Sequence, residues 1–141
     1  MTTFTMSTTL EATYEETVQR VRELLPEAGF GILTEIDLQA TLRAILGVEV
    51  DPQVILGACR PHLAHRALEA DPRLAAMLPC NVVVAAQPDG TTRVDVFDPA
   101  VMTAFSDAPK LAAVAAEARD LLAGMLAALD GTSEDSHAAR R

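Results

Sequence analysis

What this chain most plainly lacks is positive charge: 11 Lys and Arg stand against 20 Asp and Glu, a net charge of -9 over 141 residues. That balance repels phosphate backbones and anionic lipid headgroups instead of releasing their counterions, so no nucleic acid is expected as partner. No stretch of about 20 uninterrupted apolar residues occurs, as a membrane-spanning helix would need. The start, MTTFTMSTTLEATYEE, has neither the basic region nor the long apolar core of an export signal. The expected address is therefore the cytoplasm, with no membrane partner. There is no G-x-S-x-G, no phosphate-cradling glycine loop and no H-E-x-x-H, which leaves hydrolase, nucleotide and metalloprotease readings without local support. Three histidines, one of them His137, leave little material for a catalytic triad. Cysteine is scarce too: Cys59 and Cys80 are the only two.

Half the residues are hydrophobic, mainly Ala, Leu and Val, and the length suits one domain with a sizeable core. Residues 2–10, with Phe4 and Met6 alternating among threonines, read as a strand. Thr13 and Glu16 match a capping box, and Val18, Val21, Leu24 and Leu25 recur at helical spacing until Pro26 and Gly29 close the helix. A strand follows over 30–36. Asp37 then caps a helix that carries Leu38, Leu42, Ile45 and Leu46 on one side and stops at Gly47. Residues 54–58 form a short apolar run, and Gly57-Ala58-Cys59-Arg60-Pro61 starts a helix that presents Leu63, Ala67 and Leu68 and ends at Asp71-Pro72. Residues 80–86 and 91–97 pair as a hairpin across Asp89-Gly90. Asp98-Pro99 opens a short helical turn, and 109–129 read as a long Ala/Leu-rich helix docked on the sheet. The sum is a single α+β domain over 1–129, followed by a small, charged, flexible tail over 130–141.

The run from 14 to 97 resembles a bacterial and archaeal family, domain of unknown function 302. The residues that carry the resemblance are Thr17-Val18, Gly29-Phe30-Gly31-Ile32-Leu33, Glu35-Ile36-Asp37, Val54-Ile55-Leu56-Gly57-Ala58-Cys59, the segment 61–71, Leu78-Pro79-Cys80-Asn81-Val82-Val83-Val84 and Asp98-Pro99. Within that family the chain looks like the branch with both GAC-x-P and LPCN, although Arg60 and His62 depart from the Asn and Pro of that pattern. The resemblance implies a small, mostly antiparallel sheet covered by helices, and pairing into a homodimer. It brings no activity with it.

Chemistry therefore has to be sought in the residues. Cys59 at a helix start would feel the positive end of the helix, with Arg60 adding to it, which makes Cys59 the candidate nucleophile and Cys80 its resolving partner. The same two thiols can be small buried hydrophobes, the usual state of free cysteine. In a reducing cytoplasm a permanent disulfide is disfavoured, and a transient or metal-linked pair is easier to defend. Cys59, His62 and His65 stand at n, n+3 and n+6, and Cys80 can complete a set for zinc or another thiophilic metal, with His65 as the nearby base or third ligand. Six residues along a helix is poor spacing for one ligand face. Glu35 and Asp37 share a strand face and offer an acid/base pair, although capping the following helix is the role that Asp37 fits better. The expected site is thus Cys59 and Cys80 for catalysis or metal binding, with His65, Arg60 and Asp37 as ligand-binding candidates for a small molecule or metal. The competing expectation is a non-enzymatic homodimeric binding or assembly module with both cysteines in the core.

Overall fold

The structure, a computed structural model, describes residues 3–139. Side-chain caps decide where its helices begin. Thr13 Oγ1 accepts the Glu16 amide at 3.1 Å and starts α1 (Tyr14–Glu27). Pro26 lies inside the last turn of α1 instead of ending it; Gly29, at φ 87°, reverses the chain so that the Phe30 amide reaches Leu25 O at 2.9 Å. Asp37 Oδ1 accepts the Ala40 amide at 2.9 Å to start α2 (Leu38–Leu46), which Gly47 closes at φ 68°. Pro61 fills the first position of α3 (Pro61–Ala70), where its missing N–H is no loss. The last helix, α4 (Leu111–Ala139), runs on into the stretch expected as a tail, and residues 140–141 of that stretch lie outside the described residues.

Five strands, β1 (Thr5–Leu10), β2 (Gly31–Asp37), β3 (Gln53–Cys59), β4 (Cys80–Ala86) and β5 (Thr92–Phe97), form one sheet in the order β1-β5-β4-β3-β2 with every pair antiparallel. The register lines up Val54 with Val84, Leu56 with Val82 and Ala58 with Cys80, and then Val82 with Val96 and Val84 with Val94. These residues make one buried face, because alternate strand positions point the same way. Val21, Leu24 and Leu25 of α1 and Leu122, Met125, Leu126 and Leu129 of α4 pack on that face. Each fully buried Val or Leu there contributes about 1.5–3 kcal/mol relative to exposure. The alternate positions, such as Asn81, Val83, Arg93 and Asp95, are exposed or half-buried.

A second apolar cluster joins α3 to α4 through Leu63, Ala67, Val114 and Ala118, and adds Leu74 and Met102 from two short 3-10 segments, Pro72–Met77 and Pro99–Ala104. The result is a single α+β domain. Among the described residues no helix is long and apolar enough to cross a membrane.

The apolar side of α2 does not reach the core. None of its residues is buried, with Ile45 74% and Leu46 65% exposed; α2 packs against β3 and the edge strand β2.

Candidate functional site

Cys59 is the last residue of β3 and Cys80 the first of β4, so two elements distant in sequence deliver both thiols to the same end of the sheet. The residue directly opposite Cys80 is Ala58, one position before Cys59. Successive strand residues face opposite sides, so the ladder does not present the two thiols as a directly facing pair, and both are free. They nonetheless line one pocket, together with Phe30, Leu63, Met102 and Val114. Its open volume is about 30 Å³. A single water needs roughly 10–15 Å³ of such space, so the pocket suits an atom-sized or very small guest.

The two thiols differ in setting. Cys80 is buried at 6% exposure, and burial first, then the nearby Cys59 charge, pushes its thiol up from 9.0 to about 11. At neutral pH Cys80 is therefore a protonated, apolar-walled thiol. Cys59 is half-exposed and stands just before Arg60, the residue that caps α3 without a side-chain hydrogen bond. Arg60 also lines the pocket, and its Nη1 donates to Ala28 O at 2.9 Å. Its guanidinium lies over Gly29, where a Cβ would meet Nη1 at 2.0 Å, so glycine there serves both the turn and the arginine.

Cys59, Cys80 and Arg60 are thus brought together, while the other sequence-derived candidates lie elsewhere. His65 projects from α3 at 77% side-chain exposure and pairs with Glu69 at 3.3 Å; it does not line the pocket. His62 is exposed as well. Asp37 caps α2, and Glu35 is engaged by Arg22, so neither carboxylate belongs to the thiol end of the sheet. Among the described residues no group of three or more His, Cys, Asp or Glu could hold a metal ion. Met102, at 4% exposure, is the site residue that sequence reasoning missed. Its 3-10 segment was legible from Asp98-Pro99, but no spacing ties a methionine more than twenty positions downstream to Cys80.

Residues 6–129 match a family model described as Domain of unknown function DUF302. The matched span contains both cysteines and Met102. A crystal structure of an uncharacterized conserved protein DUF302 from Bacillus stearothermophilus superimposes with a TM-score of 0.81 at 29% sequence identity, covering 89% of this chain and 97% of that chain. No curated protein matches the chain.

Proposed function

The chain belongs to the DUF302 family, and from that premise we propose that its working part is a thiol-based site for a small, soft ligand at the Cys59–Cys80 end of the sheet. One observation carries this reading: β3 and β4 deliver the only two cysteines of the chain to a single apolar pocket. Cys59, half-exposed at the strand end, is the accessible thiol, and Cys80 is the inner one. Sulfur handling and metal binding both fall within this chemistry, and a reducing cytoplasmic setting, in which free thiols persist, suits it. The net charge of -9 favours a small guest over nucleic acid.

Alkylation followed by mass spectrometry checks the assignment. With iodoacetamide at neutral pH, Cys59 is expected to react at least about 100-fold faster than Cys80, which is both buried and held protonated. If both thiols react more than about 100-fold slower than free cysteine, they are core residues and the site reading is wrong.

A second reading, that the chain also works as a homodimer, is favoured by a specific group of side chains. Leu33, Ile36, Ile45, Leu46, Val48 and Val50 are each at least 36% exposed, and all fall within residues 33–50, around the outermost strand β2. Large apolar residues gathered in one segment mark an interaction surface, and an edge strand can pair with its own copy about a two-fold axis. Sedimentation equilibrium at micromolar concentration is expected to give a dimer for the natural chain and a monomer for Ile45→Glu. Because Ile45 is exposed, the variant monomer should keep the far-UV circular dichroism spectrum of the natural chain, its melting temperature falling only by the association lost. A natural chain that sediments as a monomer removes this reading.

A further inference from the structure

We propose that Cys59, Cys80 and Met102 together form a site for one soft monovalent cation of closed d shell, cuprous ion or its silver analogue. This rests on the thiol-site reading above and names its ligand. Three sulfur atoms come from three separate elements, the end of β3, the start of β4 and the 3-10 segment Pro99–Ala104, and all three residues line the same pocket. Thiolate and thioether donors select soft ions, whereas carboxylate and water select hard ones. Here the remaining wall is supplied by residues such as Phe30, Leu63 and Val114, which offer no competing oxygen or imidazole side chain. Structural zinc asks for four N, O or S ligands; His65, the residue that would have enlarged the set, stands outside in solvent. The alternation that separates the two cysteines across the ladder does not keep them apart at its end, since both line this one pocket.

The charges can be followed through binding. As each sulfur–metal bond forms, the corresponding thiol releases its proton to solvent, two protons per ion, while Met102 binds through a neutral thioether. Two thiolates and one monovalent cation leave a single negative charge, and Arg60 in the same lining offsets it. No oxidant or reductant is consumed. An open volume of about 30 Å³ admits a bare ion and excludes a bulky complex.

The test uses the full chain, reduced and kept anaerobic, titrated with silver(I) and separately with cuprous acetonitrile complex against a chromogenic chelator. One ion per chain and close to two released protons are expected. Met102→Leu, which conserves volume and should melt within a few degrees of the natural chain, is expected to weaken binding by about tenfold or more, and Cys59→Ser by about 100-fold. Equal affinity of Met102→Leu and the natural chain overturns the proposal, as does zinc held as tightly as silver. No ion held while Cys59 still alkylates rapidly overturns it and leaves the thiol-site reading standing. No ion held with both thiols inert overturns both.

Discussion

Raising the pH from about 8 to about 11 is expected to remove roughly 2–3 kcal/mol of stability through Cys80 alone. The folded chain holds the Cys80 proton up to about 11, against 9.0 for an ordinary thiol, first because the sulfur is buried and second because Cys59 lies near. A group whose folded pKa is raised binds its proton more tightly when folded. Its contribution is therefore complete below the unfolded value and is lost as pH climbs from about 9 towards about 11. Urea unfolding at closely spaced pH values measures this directly. Cys80→Ala removes the titrating sulfur, so its stability should fall less steeply over the same window even though it starts lower because of the cavity. Tyr14 is also raised, by partial burial and then by Asp37, Glu15 and Glu35, and it loses stability in the same direction in both proteins, so the comparison cancels it. Equal slopes for the two proteins would show that Cys80 is solvated.

Gly57→Val is expected to destabilise the fold by about 3 kcal/mol, the upper part of the range for overpacking a tight interior. A Cβ at this position would lie 2.1 Å from Thr34 Oγ1 and 2.7 Å from Pro79 Cγ. Thr34 is the cross-strand partner of Gly57 on β2, and Pro79, joined to Leu78 by a cis peptide bond, immediately precedes β4. Glycine therefore lets three neighbouring chain segments close up one turn of pleat before Cys59. Valine must turn the Thr34 side chain aside and displace the Pro79 ring, and denaturant midpoints should shift accordingly. Adding Thr34→Ala clears one of the two obstructions and should recover about 1 kcal/mol, a coupling expected of side chains in direct contact. A Gly57→Val protein within about 0.5 kcal/mol of the natural one would refute the close approach.

Local signals made most of the fold legible. The Thr13 and Asp37 caps, the Gly47 stop, Pro61 at a helix start and the Asp89-Gly90 hairpin are each decided by a few neighbouring residues, and each element stands where those residues put it. Pro26 and Gly29 bracket the end of α1: the helix runs one residue past the proline to Glu27 before Gly29 reverses the chain. The apolar side of α2 was legible as a pattern, but a pattern does not say what covers it: among the described residues Leu38 and Leu42 are half-buried while Ile45 and Leu46 stay exposed. At the site, sequence placed Cys59 and Cys80 at a strand end and a strand start. Their meeting in one pocket depends on the β3–β4 register, a long-range pairing that no local spacing encodes. The same is true of Met102, and of the separation of His65, whose helical phase turns it to solvent.

The β3–β4 register has a thermodynamic consequence. Val54, Leu56 and Ala58 of β3 face Val84, Val82 and Cys80 of β4, so the arrangement that holds the two sulfurs is the one that closes the hydrophobic interior. A slip of one residue would turn that whole row outward. Unfolded or misregistered chains leave the two thiols independent of each other, so a guest that bridges the sulfurs would bind the native state in preference. Such a guest raises the free energy of unfolding by RT ln(1 + [L]/Kd), about 2.7 kcal/mol at a free concentration one hundred times Kd. With such a guest, occupancy of the pocket and persistence of the folded chain would form one linked equilibrium, and resistance to denaturant would rise as the pocket fills.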